Sequence, residues 1–529
     1  MYLKKLYAFI LVMIALVGIS ATTVNKDKLY EISKNIEIFI TVYKELNANY
    51  VDELDPNQLM RVGIDAMVES LDPYTNYISE SEVASYRINT EGKYEGIGAV
   101  VEKIGEYITI VEPYEDSPVL EAGIKAGDKI IAIEGESTLG KTKEEVAIFY
   151  RGVPGTTVRL KILSEDGTEK DVDVKRAEVN IPNVPYSGFV SDDVAYISLT
   201  TFTPDASKNI KNAFRKMKNE NVNMKGVILD LRNNGGGLLR EAIAVSNIFI
   251  PKDKEVVSVK SKVIERDETY RTMQDPLDTE IPLVVLINKN SASASEIVSG
   301  VMQDYDRGVL MGQRSYGKGL VQNTKEVGYN SRVKLTTSKY YIPSGRCIQS
   351  VKYEDGEPVD IANEKRSKFK TSNGRTVLDG GGVSPDIVLK LPQDDDLMKK
   401  LKEDYMVFNF VNRYMTEWDT SGLDEVINFE EFDKFKSFLE KENFSYETEA
   451  EQLLDELKSS LEESTDNELA AELSQLESEL KNLKSTDLED NKARIINDIE
   501  IELATRLRFQ KGKTFQKLKN DAEIAAAIE

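Results

Sequence analysis

The residues with the most to say about chemistry lie between Ile281 and Gln322. Leu283 to Ile287 is a β-branched and leucine run of the kind that forms a buried strand. It breaks at Asn288-Lys289-Asn290, and the small residues Ser291-Ala292-Ser293-Ala294-Ser295 then lead into the helical pattern Glu296, Ile297, Val298, Val301, Met302. A strand that enters a helix through a tight turn of small residues exposes a side chain to unpaired backbone N–H groups and the positive end of the helix dipole. A serine there is a candidate nucleophile. It needs a base, and the chain contains 0 histidines, so a Ser-His-Asp triad or a Cys-His dyad cannot be built. A lysine is supplied by Tyr316-Gly317-Lys318-Gly319, where flanking glycines allow close backbone approach. To act as a base it must be neutral, which requires burial away from other cations. Spacing alone leaves open a plainer reading: a strand, a capped helix and a glycine turn carrying a surface lysine.

The elements that would position these groups read as a βαβ rhythm. Val194 to Phe202 and Gly226 to Leu231 are strand-like, and Asp205 to Lys218 between them is helical, which implies parallel strands. The second strand runs into Arg232-Asn233-Asn234-Gly235-Gly236-Gly237 before another helical stretch, Leu238 to Ile248. Glycines at that point let N–H groups face an oxyanion, a large electrostatic contribution to acyl transfer. They also suit an ordinary strand-to-helix turn. A phosphate loop does not fit, because the Gly-Lys-Ser/Thr ending is missing.

The stretch Ser291-Ala292-Ser293-Ala294-Ser295-Glu296-Ile297, then Gly312, Ser315-Tyr316-Gly317-Lys318-Gly319 and Gln322, resembles the catalytic core of the carboxyl-terminal processing (tail-specific) proteases. That family consists of serine peptidases with a Ser/Lys dyad. The resemblance implies Ser293 as nucleophile, Lys318 as base and Gln322 as the residue that orients the amine. Through the Asp-Leu-Arg-Asn-Asn segment it implies an oxyanion hole made by N–H groups of Gly236 or Gly237 with that of Ala294. Asp304 matches a position implicated in some members, and a helix-surface carboxylate is the alternative. The similarity runs from roughly Asn35 to Leu389, with Gly235 standing where many members have proline and Cys347 where serine is commoner.

Between Tyr94 and Val179 the ordered series Gly96-Ile97-Gly98, Ala122-Gly123-Ile124-Lys125-Ala126-Gly127-Asp128 and Arg151-Gly152-Val153-Pro154-Gly155 resembles a PDZ domain. Such a domain binds a peptide carboxylate on successive loop N–H groups and adds the peptide to a sheet edge. The resemblance places peptide binding on Gly96, Ile97 and Gly98, with Ile97 and the Glu145 to Tyr150 helix lining an apolar pocket. A module that only tethers the protease is the alternative. The implied architecture is α/β: a crotonase-like protease core with an inserted PDZ domain, N-terminal helices and a helical C-terminal extension. The expected divisions are 1–25, signal peptide or membrane anchor; 26–90, N-terminal helices; 91–180, PDZ; 181–390, peptidase core; 391–529, acidic helical extension.

Composition narrows the function classes. The formal charge of -23 disfavours nucleic acid through repulsion from phosphates. The single Cys347 and the absence of histidine exclude an internal disulfide and disfavour a transition-metal site, so no cofactor and no metal are expected. Met1 to Lys5 is basic and Leu6 to Ala21 almost unbroken in apolar character, the pattern of a secretory leader. The expectation is an exported, periplasmic or otherwise extracytoplasmic enzyme, with a membrane tether through that segment left open. Lys28 to Tyr77 has apolar residues at helical spacing, with a joint near Asp52 to Pro56, and Glu451 to Glu463 and Glu468 to Leu483 suggest paired amphipathic helices. A homodimer is left open, as are solvated helices without a partner. The expected partners are protein substrates with unstructured, apolar C-terminal tails. The rivals are a catalytically silent PDZ scaffold and an esterase or amidase for small molecules.

Overall fold

The leucine and β-branched runs fold as the parallel centre of a six-stranded sheet. The computed structural model describes residues 28–80, 82–83, 86, 92–262, 265, 267–349, 353–354, 357–359, 362–390, 393–418, 426–461 and 467–529. The leader expected over 1–25 lies outside the described residues. The chain divides into two compact units: residues 1–77 with 324–327 and 332–335, and the remainder.

In the first unit, helix 28–49 (α1) is followed by Pro56–Glu69 (α2). Asp55 caps α2 by accepting the Asn57 N–H at 2.8 Å, and Pro56 occupies a first-turn position where no N–H is needed. Ile32, Ile36, Phe39, Val42 and Leu46 recur at helical spacing along α1 and are exposed.

The second unit contains the PDZ-like module, the parallel sheet and the C-terminal helices. In the module, strands Ala99–Ile104 (β1), Tyr107–Pro113 (β2), Lys129–Ile133 (β3), Thr157–Leu163 (β4) and Glu169–Lys175 (β5) pair antiparallel in that order. Helix Lys143–Tyr150 (α3) starts at a Thr142/Glu145 capping box. Ile97, Ile108, Ile130, Val146 and Leu160 form its fully buried core.

The six-stranded sheet takes Ser187–Phe189 (β6), Val194–Ser198 (β7), Gly226–Asp230 (β8), Leu283–Ile287 (β9), Val309–Gly312 (β10) and Ile387–Val388 (β11), in that spatial order. Only the β6/β7 pair is antiparallel. Every residue of β8 is buried, as expected of a parallel strand covered on both faces. Strand alternation divides the side chains between two layers. Ala195, Ile197, Val227, Leu229, Val285 and Leu310 face helices Ala206–Glu220 (α4), Leu239–Phe249 (α5) and Ala294–Asp304 (α6). Tyr196, Ile228, Leu286 and Met311 face the other way and are covered by Ile524 and Ala527.

Those last two residues belong to the C-terminal extension, on helix Ala522–Ile528 (α8), which follows the long helix Lys492–Lys519 (α7). The end of the extension therefore supplies part of the parallel sheet's second layer, and each large apolar side chain buried there stabilises by about 1.5–3 kcal/mol. Further back, α7 meets the PDZ-like module: the Lys513 ammonium lies 2.8 Å from Glu112 on β2, which also accepts from the Gln510 amide. Helices Glu449–Leu461 and Asn467–Lys484 pair through Lys458 and Glu477 at 2.5 Å, consistent with the amphipathic pattern read in that stretch.

Candidate active site

Ser293 stands between β9 and α6 with φ +56° and ψ −111°. A non-glycine residue in this region carries strain of order 1–3 kcal/mol, maintained only where surrounding bonds over-determine it. Those bonds are visible. Asn234 accepts the Ala292 N–H at 3.0 Å and the Ser295 hydroxyl at 2.8 Å on its carbonyl, while the Ser291 hydroxyl donates to the Leu231 carbonyl at 2.8 Å. Ser291 and Ser295 are wholly buried and occupied, and Ser293 alone of the three is partly exposed. Geometry thus separates the middle serine from its neighbours, a choice that the sequence made only through resemblance.

The glycine loop after β8 packs directly on this turn. A Cβ on Gly236, whose φ is +102°, would sit 2.8 Å from the Ser293 Cβ and 2.9 Å from the Ala294 nitrogen, so only glycine fits. The Gly236 N–H is taken by the Asn234 side-chain oxygen at 2.9 Å. The Gly237 and Ala294 N–H groups have no hydrogen-bond acceptor among the described residues. Of the three N–H groups expected to face an oxyanion, these two are open.

Lys318 follows Gly317 (φ +95°) in a loop stitched to the serine turn. Tyr316 donates its N–H to the Ser291 carbonyl at 3.0 Å. Glu296, wholly buried, forms the densest link: one carboxylate oxygen accepts the Ser293 N–H at 2.8 Å and the Lys318 N–H at 2.9 Å, the other the Ser315 hydroxyl at 2.6 Å and the Gly317 N–H at 2.7 Å. Burial pushes its pKa up to about 7 against the pull of these donors. The buried Tyr340 hydroxyl bridges the carbonyls of Lys318 and Ser293, the latter at 3.1 Å. Gln322 donates its amide to the Thr336 hydroxyl at 3.1 Å.

Glu296, Tyr340 and Asn234 were not singled out from sequence. A capping-box pattern, Ser293 followed three residues later by Glu296, was the one available signal, and it marks any helix start.

Asp304 ends α6 buried, 2.9 Å from the equally buried Arg346, and accepts the Ser344 N–H at 2.9 Å. The alternative of a helix-surface carboxylate is therefore corrected: the element is covered on this side by the Ser344–Gln349 segment. Burial raises the pKa of Asp304 and lowers that of Arg346. The Gln349 side chain at the end of that segment accepts the Gly319 N–H at 2.7 Å, so the ion pair anchors the turn that steadies the lysine loop. Asp304→Asn strands the buried guanidinium and is expected to lower the unfolding free energy by about 3–5 kcal/mol, measured from urea midpoints. A loss below about 1 kcal/mol would show that the pair does not hold this turn.

On the PDZ-like module, a groove of about 460 Å³ lies between edge strand β1 and α3, lined by Ala99, Val101, Ala147, Ile148 and Tyr150, with Lys143 and Glu102 paired at 2.9 Å. The Gly96 to Gly98 turn leads into β1, with Gly98 at φ +83° and the carbonyls of Ile97 and Gly98 accepting from Val119 and Tyr114 at 3.0 Å each. The Ile97 side chain is wholly buried in the module's core.

These features match known families along most of the chain. Residues 193–359 match the model for peptidase family S41, 96–175 the PDZ domain model, and 397–529 the model described as the probable PDZ-protease, C-terminal helical domain. The fold and site are those of a serine-type peptidase carrying a PDZ domain. A carboxy-terminal-processing protease of Bartonella bacilliformis is 33% identical over 394 residues, covering 71% of this chain and 88% of that protein. A probable CtpA-like serine protease of Staphylococcus haemolyticus is 35% identical over 339 residues, 63% of this chain and 66% of the relative. Among solved structures, the photosystem II D1 C-terminal processing protease aligns at 22% identity and TM-score 0.36, over 70% of this chain and 96% of that one. The chain belongs to the carboxy-terminal-processing protease family.

Proposed function

We propose that this chain is an endopeptidase that uses a Ser293/Lys318 dyad on exported proteins, selecting those with unstructured, apolar C-terminal tails through the groove between β1 and α3. The observation that carries the reading is the shared Glu296 carboxylate, which binds the N–H groups of Ser293 and Lys318 at 2.8 and 2.9 Å and so fixes the two segments relative to each other.

Neutral Lys318 removes the Ser293 proton as the oxygen attacks the scissile carbonyl, with Gln322 assigned to orient the amine. The developing oxyanion is held by the open N–H groups of Gly237 and Ala294. Lys318, now an ammonium, returns its proton to the leaving amine, and a water activated by the same amine hydrolyses the acyl-enzyme. The leader-like segment, Met1 to Ala21, supports export and a membrane tether as its alternative fate.

The direct test is digestion of an unfolded protein with an apolar C-terminus by the chain from about Lys26 onward. Cleavage by the wild type but not by Ser293→Ala is expected; equal cleavage by both would place the activity elsewhere. Substrate capture has its own test. Ile148, 60% exposed on the groove-lining helix, can be changed with little cost to the fold. Ile148→Glu is expected to raise KM for the tailed substrate about tenfold with kcat held, the signature of lost uniform binding. An unchanged KM would mean that the groove only tethers.

A further inference from the structure

Arg232 opens the glycine loop, leaving β8 two residues before Asn234 and four before Gly236. Its guanidinium is held by three carboxylates. Asp230 accepts Nε at 3.0 Å and Nη2 at 2.6 Å, Glu523 accepts Nη1 at 2.6 Å, and Asp521 meets Nη2 at 2.8 Å. The guanidinium side chain is 14% exposed and that of Glu523 3%. Asp521 divides its carboxylate between two tasks: one oxygen caps α8 by accepting the Glu523 N–H at 2.9 Å, the other takes Arg232. The Asp230 oxygen that takes Nη2 also accepts the Tyr196 hydroxyl at 2.8 Å.

The loop's other anchors lie inside the peptidase core: the Phe202 N–H donates to the Gly236 carbonyl at 3.0 Å, the Phe202 carbonyl accepts the Leu238 N–H at 2.8 Å, and the Asn234 carbonyl holds Ala292 and Ser295 as described above. Asn233 exchanges bonds with Asn288, its N–H donating at 2.9 Å. Asn234 donates its side-chain amide to the Leu199 carbonyl at 2.8 Å while accepting the Gly236 N–H. The clamp on Arg232 alone comes from outside that core, from residues 521 and 523, within the 397–529 match and outside the peptidase match at 193–359. Docking of α8 does not require it, because Ile524 and Ala527 already bury apolar surface on the sheet. A buried cluster with more carboxylates than cations is a poor way to gain stability, but it fixes orientation.

We propose that Asp521 and Glu523 are positioning residues for the oxyanion hole: by clamping Arg232 they set the loop that aims the Gly237 N–H, which makes the helical extension part of the catalytic machinery. The inference rests on the Ser293 peptidase reading above.

Its test uses the full chain carrying Glu523→Gln or, separately, Asp521→Asn. Three quantities are measured: kcat and KM on an unfolded substrate, binding of a peptide boronate that forms a tetrahedral adduct with the serine, and binding of the same peptide without the boronate. The expected result for either variant is a kcat about tenfold lower with KM within twofold, short of the 10²–10³ lost when a donor is deleted outright. Boronate affinity should fall in parallel and plain-peptide affinity should hold. Unchanged kcat in both variants, beside an active wild type and a dead Ser293→Ala, overturns the clamp and leaves the peptidase reading intact. Loss of kcat together with plain-peptide binding and melting temperature assigns the cluster a purely structural role and also overturns it. A wild type with no Ser293-dependent cleavage removes the peptidase reading and the clamp with it.

Discussion

Lys318→Ala and Ser293→Ala are each expected to reduce kcat by roughly 10³–10⁴-fold, and the double variant to lose no more than either single change. The amine and the hydroxyl act as one unit in the attack step, so deleting either leaves only the oxyanion donors and substrate binding. Lys318→Arg should be as inactive as Lys318→Ala, because a guanidinium stays protonated at any working pH. Rates should rise with pH as the amine is freed of its proton. Both alanine variants should fold normally, since the bonds that shape the two turns run through the backbone N–H groups of Ser293 and Lys318 and not through their side chains. Single-turnover acylation is the measurement that isolates this step. A Lys318→Ala enzyme retaining more than about a tenth of wild-type acylation would exclude the lysine as base.

How much of this was legible follows the reach of each interaction along the chain. The strands at Gly226–Asp230 and Leu283–Ile287 announce themselves because strands buried on both faces must be apolar throughout. Gly236 could be read because only glycine tolerates its φ and the approach of Ala294. The absence of histidine narrows the base to a lysine, a carboxylate or an N-terminal amine, and it is the family resemblance that singles out Lys318. Residues whose partners lie far away in sequence were opaque. Arg232 meets Glu523 across 291 positions, and nothing in an amphipathic Glu- and Lys-rich tail says what its apolar stripe will cover. The extension was read as an interaction domain or as solvated helices, whereas its end packs on Tyr196, Ile228, Leu286 and Met311. Asp304 suffered the same way: its charge suggests solvent until Arg346 folds over it.

Glu296 carries the other large effect. Its four donors occupy both oxygens, so a proton on the carboxyl must displace one of them, and the one displaced loosens either the serine turn or the lysine loop. Burial nevertheless raises its pKa to about 7. Activity is therefore expected to include a rising step centred near pH 7 that belongs to Glu296, separate from the deprotonation of Lys318. The linkage has a definite sign. The folded pKa lies above the ordinary glutamate value of 4.5, so the native state holds an extra proton between the two values. The stability this contributes is complete below about pH 4.5 and is lost as pH rises through about 7, a change on the order of 3 kcal/mol. Glu296→Gln cannot titrate. Its single amide oxygen can satisfy at most two of the four donors, and its NH₂ opposes the other pair, at about 1–3 kcal/mol for each buried donor left unmet. The variant should lose roughly 10²-fold in kcat at pH 8, show no step near pH 7, and have urea midpoints that change less between pH 5 and 8 than those of the wild type. If Glu296→Gln keeps the step, another group produces it. If it keeps wild-type kcat, the two catalytic segments are held together by the Tyr340 bridge and the Tyr316 to Ser291 bond without help from the carboxylate.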